Sequence, residues 1–230
     1  MKALGALAAC LLLAACTTTQ VKVVGQDALQ TPASDSKGLL IQPDVRLGVL
    51  TAAGMQEARA DWSQDAQRYL GMALRDNLAA RGHPFEMLDP EASMEGRAGQ
   101  LLRLHEAVGA SIQQFEYSGL RLPTKPKDRF DWTLGDGALV LRDKHGADYA
   151  LFVTGRGTYS SAGRKALWLG AAMLGVSVPL GSQQVYASLV DLRTGQVIWY
   201  NIAVVGPQAD IRTADGARAL VQDLMKKAPI

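Results

Sequence analysis

The sequence predicts an α/β protein: a mixed, partly antiparallel sheet with amphipathic helices packed on it, preceded by an export segment and a tether. Three observations predict it. Strand-like and helix-like stretches alternate from Pro43 onward. Two late strand-like runs meet at Arg193-Thr194-Gly195, a hairpin turn. A helical apolar stripe then closes the chain. Helices between early strands, a hairpin and a last helix together argue for helices layered on one sheet. The residues after Pro43 suffice for a single domain, 44–230.

Residues 1–15 read as a signal peptide. Lys2 gives a basic start, Ala3 to Ala15 an uncharged apolar run, and Thr17 to Gln20 the first polar cluster. Leu13-Ala14-Ala15-Cys16 resembles the bacterial lipoprotein box. That resemblance implies cleavage between Ala15 and Cys16, a diacylglyceryl group on the Cys16 sulfur, and an N-acyl chain such as palmitate on the new amino terminus. An ordinary secretory signal with an incidental cysteine is the alternative. Leu7-Ala8-Ala9-Cys10 repeats the pattern after too short an apolar stretch. Each buried methylene contributes roughly 0.8 kcal/mol, and two or more chains anchor where one is marginal. Thr17 stands where an aspartate would imply inner-membrane retention, so the resemblance implies the outer membrane, facing the periplasm. Cleavage removes Cys10 and acylation uses Cys16, leaving no thiol for a disulfide or a metal.

Residues 16–43 read as the acylated cysteine and a tether, polar and carrying Pro32 and Pro43. A flexible chain of that length has a root-mean-square span of roughly 30 Å. Val21, Val23 and Val24 are compatible with a short strand inside it. Val45 to Leu50 alternates as a first strand of the domain. Ala66, Tyr69, Leu70, Ala73, Leu74 and Leu78 recur at helical spacing between Trp62 and Ala80, with Gly82 as the stop. Phe85 to Leu88 is a strand ended by Asp89-Pro90. Leu101, Leu104, Val108, Ile112 and Phe115 mark a helix from about Gly99, and Leu120 to Asp131 a loop. A helix over Ala138–Asp143 leads into a strand from Tyr149 to Thr154. Val185–Leu192 and Gln196–Val205 form the hairpin, and Ala217, Leu220, Val221, Leu224 and Met225 the inner stripe of the last helix.

With 24 basic and 22 acidic residues, the chain offers no electrostatic case for nucleic acid. Its three histidines form no HxxxH or HExxH pair: His83 follows a turn glycine, His145 closes a helix, and His105 lies on an apolar stripe as a core histidine. There is no GxSxG elbow around Ser160-Ser161. Gly155, Gly157 and Gly163 match no phosphate-binding fingerprint and read as a glycine-rich strand end and loop. Asp148 and Asp191 sit at strand borders, where bonding to nearby backbone explains them. No metal site is supported, no cofactor beyond the covalent lipid is expected, and the expectation is a protein that is not an enzyme.

The most unusual stretch is Ala166–Leu180, which follows Arg164-Lys165 and carries no charge. It is shorter than the roughly 20 apolar residues of a spanning helix and is broken by Gly170, Gly175 and Pro179. Three readings stand: a buried core helix or packed loop, a surface patch meeting a partner, a second copy or a membrane interface, and a membrane-inserting hairpin. Trp168, Leu169, Met173 and Leu174 are its candidate interaction residues.

Val190-Asp191-Leu192-Arg193-Thr194-Gly195-Gln196-Val197-Ile198-Trp199 is similar to the D-x-x-T-G-x-hydrophobic-hydrophobic-Trp hairpin of a broad group of bacterial envelope lipoproteins. That group includes the curli-secretion lipoprotein and the lipoprotein activator of a penicillin-binding protein. Gly146-Ala147-Asp148-Tyr149 looks like a second shared element. The resemblance implies a small α/β domain like the N-terminal domain of the Tol-system propeller protein, with Gly195 in the turn and Trp199 in the core, and no shared catalytic role. The expected function is a lipid-anchored, periplasm-facing accessory or binding module in cell-envelope assembly or export, with an envelope protein or a second copy as partner. The alternative is a subunit of a self-assembling curli-secretion-like channel or ring.

Overall fold

The computed structural model describes residues 17–23, 32–33, 35–83, 85–90, 95–123, 129–205 and 209–230. The signal peptide and Cys16, with Leu13, Ala14 and Ala15, lie outside the described residues.

Those residues form one mixed sheet of eight strands: β1 (Thr18–Val23), β2 (Gly38–Ile41), β3 (Asp44–Leu50), β4 (Gln56–Ala58), β5 (Phe85–Leu88), β6 (Tyr149–Ser160), β7 (Gln183–Asp191) and β8 (Val197–Val204). Five α-helices pack on or project from it: α1 (Ala60–Ala80), α2 (Gly96–Ile112), α3 (Leu139–His145), α4 (Ala162–Met173) and α5 (Ala214–Leu224). The expected fold class is the observed one.

The 12-residue β6 organises the sheet. Antiparallel β7 runs along one edge, followed by β8 and then β1. Along the other edge run β2 and β3, both parallel to β6. Gly38 to Leu40 oppose Tyr149 to Leu151, and Asp44 to Leu50 oppose Thr154 to Ser160. The three residues Ile41 to Pro43 therefore face two on β6. Pro43, with no N–H to give a ladder, sits at this bulge.

Side chains of a strand alternate between faces. Phe152, Ser188 and Tyr200, partners across β6, β7 and β8, share the face covered by α2. There, His105 stacks on Phe152 and Tyr200 donates to Gly109 O. On the opposite face Asn201 Nδ2 donates to Leu224 O of α5 at 2.6 Å, and Ser63 of α1 accepts from Leu47 N. The predicted inner residues of α5 are all buried, as are Ala66, Leu70, Ala73, Leu74 and Leu78 of α1.

Several expectations shift. The 16–43 stretch, expected as a tether, supplies β1 and the fully buried β2. Gly38-Leu39-Leu40-Ile41 is an apolar run too short to show a period, yet it pairs on both sides. The strand expected to end at Thr154 continues through the glycines to Ser160. A Cβ at Gly157 would collide with Ser182 O, so the glycine permits β6 and the chain entering β7 to meet. Leu104, expected on the buried stripe of α2, is exposed; the helix turns Leu101, His105, Gly109 and Ile112 inward instead. A five-residue π-helical turn, Gln113–Tyr117, extends α2 and carries Phe115, which is half-buried.

Candidate functional site

The end of the sheet at which β6 finishes is its head. Beyond Ser160 the chain leaves the body as an arm. Ser161 caps α4 by accepting from Arg164 N at 3.1 Å. Twelve helical residues carry it roughly 18 Å outward. Gly175, at φ 72°, reverses the chain after Val176 N and Leu174 N have both bonded to Ala171 O. An extended stretch then returns to Gln183.

Of the α4 residues only Arg164 is buried. Leu167, Trp168, Leu169, Met173, Leu174, Val176 and Leu180 are exposed, Met173 at 78% and Leu174 at 81%. This overturns the buried-core reading of Ala166–Leu180: among the described residues no layer lies over the helix. It also removes the hairpin reading, since the segment is helix and loop, not paired strand. The segment lies at the surface, where Trp168, Leu169, Met173 and Leu174 are all exposed.

Among the described residues, the bonds that hold the arm to the body lie at its root. Arg164 donates through Nε to Pro179 O at 3.0 Å and through Nη1 to Ala52 O at 3.3 Å. Gly181 N bonds Ser160 Oγ at 2.8 Å, Thr158 N bonds Ser182 O at 3.0 Å, and the Gln183 amide donates to Thr158 O. Sequence reading missed Arg164. Its signal was present, as one of two cations opening a long uncharged run.

The strand that follows Cys16 reaches the same end of the sheet. Thr18 pairs with Val204, Val204 with Gln184, and Gln184 with Arg156, forming one row across β1, β8, β7 and β6. β1 runs away from the head, so its first residue, Thr18, is its head-side end. Three strand spacings, about 14 Å, separate β1 from β6 laterally. Cys16 is two residues from Thr18. Met55, also exposed, sits in the turn after β3, which ends opposite Ser160 at the head.

The remaining candidates are structural. His105 Nε2 lies 2.6 Å from Ser188 Oγ, its ring stacks on Phe152 at 3.7 Å, and burial lowers its pKa to about 3. It also borders a cleft of about 670 Å³ at the Gln42-Pro43 break, lined by Gln64, Gln67, Asp44 and Glu106. There Asp44 pairs with Arg156 and Arg46, and Glu106 lies 3.7 Å from Arg156. His145 Nδ1 lies 3.6 Å from Glu86 Oε1, and His83 follows the Gly82 turn. Asp191 accepts from Arg193 N, Nε and Nη2, while Arg193 also donates to the Tyr149 hydroxyl at 2.6 Å. Arg212 stacks on Tyr159 at 3.6 Å and on Trp62 at 4.6 Å. Among the described residues no group of three or more metal-ligating side chains converges, and no helix is long and apolar enough to cross a membrane.

No known family profile matches the chain. No curated protein matches it. Among solved structures, the chain is similar to the PelC dodecamer from Paraburkholderia phytofirmans at 12% identity and a TM-score of 0.43, covering 94% of this chain and 98% of that one. A point variant of the same dodecamer matches at 12% identity and a TM-score of 0.39, covering 89% and 96%. At these values the likeness assigns neither a family nor a function to this chain.

Proposed function

We propose that this chain is an outer-membrane lipoprotein whose periplasmic domain is seated head-first on the bilayer, acylated at Cys16 and touching the lipid interface with the α4 arm. In that position it serves as an accessory or binding module in cell-envelope assembly or export. One observation carries the reading: the strand beginning two residues after Cys16 starts at the end of the sheet from which the arm with its uncharged stretch Ala166–Leu180 projects. The acyl chains supply most of the affinity. Burying the exposed part of each large arm side chain adds on the order of 1 kcal/mol. Two points of attachment also restrict the tilt of the domain, as one flexible anchor would not.

Fluorescence quenching by brominated phospholipids tests this. Trp168 fluorescence, taken as the difference between the acylated protein and its Trp168→Phe variant in vesicles, is expected to be quenched strongly and at shallow depth. Quenching no greater than that of a water-exposed tryptophan would sink the seated arrangement.

Self-assembly is a second reading, favoured by one observation: seven large apolar side chains of the arm are exposed, so arms of neighbouring copies can cover one another. A uniform large native mass in mild detergent, with Trp168 shielded from brominated lipid, supports it over membrane seating.

A further inference from the structure

We infer that Arg164 is a positioning residue that sets the angle of the α4 arm to the body by bracing both of its legs; this rests on the proposed seating of the arm in the membrane. Arg164 is 8% exposed, though it belongs to a helix otherwise open to solvent. Among the described residues no carboxylate pairs with it. Its guanidinium is satisfied by carbonyls of two separate segments: Pro179 O on the returning leg and Ala52 O in the turn between β3 and β4. A Cβ at Gly163 would sit 3.2 Å from Ala52 Cβ, so α4 and that turn are also in close contact. A planar fork reaches two acceptors at a set angle, whereas a lysine ammonium is a point donor on a flexible stem. With the fork in place the helix, the returning leg and the turn carrying Met55 form one rigid head. Without it the arm pivots on the Ser160–Ser161 and Gly181–Ser182 junctions.

The test uses the full acylated protein in phospholipid vesicles, with spin labels introduced by Met173→Cys on the arm and Thr194→Cys at the far end of the sheet. The distance distribution between them is expected to be narrow. In Arg164→Gln its width should at least double, while oxygen accessibility of the arm label still reports contact with lipid. An unchanged narrow distribution in Arg164→Gln overturns the brace. If that variant melts much earlier than the parent, Arg164→Lys decides: a restored melting temperature with a still-broad distribution supports the brace, and restoration of both overturns it. Failure of the membrane reading is separate, because it shows as an arm label in water whatever the width.

Discussion

Thr18 pairs with Val204 at the head of the sheet, so the first described strand begins two residues after Cys16 in the sequence. The strand so formed is an edge strand, largely exposed, and is secured from the side by Tyr117. The Tyr117 hydroxyl donates to Gln20 O at 3.1 Å and lies 3.5 Å from Tyr200 O.

Replacing that hydroxyl isolates its contribution. Tyr117→Phe is expected to lower global stability by about 0.5–1.5 kcal/mol. Amide exchange should accelerate most in Thr18–Val23, with the β6–β7 ladder little changed. Uniform acceleration across the sheet would contradict the side-latch role.

His105 predicts acid sensitivity. Burial lowers its pKa from 6.5 to about 3, so the neutral ring is the form the fold accepts. Between those two values the unfolded chain binds the proton and the folded chain does not. The stability contribution is therefore complete above pH 6.5 and is lost progressively as pH falls toward 3, by at most about 1.4 kcal/mol per pH unit. His105→Gln keeps a polar partner near Ser188 without the titration. Urea midpoints measured from pH 7 to pH 4 should fall less steeply in that variant.

The hairpin turn depends on one glycine. Gly195 has φ 72°, its N–H bonds Asp191 O at 2.7 Å, and a Cβ there would overlap the Gly135 backbone. Gly195→Ala should cost about 2 kcal/mol or more, from the left-handed conformation and the collision together. Thermal melting checks it, and a loss below 0.5 kcal/mol would show that the Gly135 segment yields freely.

The arm makes the opposite prediction for stability. Leu169 and Leu174 are exposed, so the double variant Leu169→Asp/Leu174→Asp should change unfolding free energy by no more than about 0.5 kcal/mol. In a soluble form beginning at Thr17 it should nonetheless abolish cosedimentation with vesicles. A large drop in melting temperature would mean that the arm is packed in solution.

Much of the sheet-and-helix frame was legible because its signals are local. The α1 and α5 stripes repeat every three to four residues, and both helices bury the residues so identified except Tyr69, which is half-buried. The Thr194-Gly195 turn was readable because a left-handed residue is required within a few bonds of the strand ends. Leu104 misled for a related reason. It shares the apolar character of its neighbours but points at the groove beside α3, where Val140 and Lys144 face it across open space. The uncharged run holding Trp168, Leu169, Met173 and Leu174 was visible in composition alone, whereas the bonds of Arg164 to Ala52 and Pro179 exist only in the folded chain.

By itself the sequence determined the α/β class and the faces of the long helices, since these follow from residue type and short-range periodicity. Tertiary structure alone decided two other matters. It paired Thr18–Val23 with a strand almost the whole chain away, and it left the apolar α4 without a layer above it. Neither is encoded in a local pattern. An apolar run fits a core and a surface equally well, and an edge strand exists only where another strand offers its free backbone groups. The placement of the arm at the end of the sheet where β1 begins is a consequence of β6, β7, β8 and β1 pairing in that order.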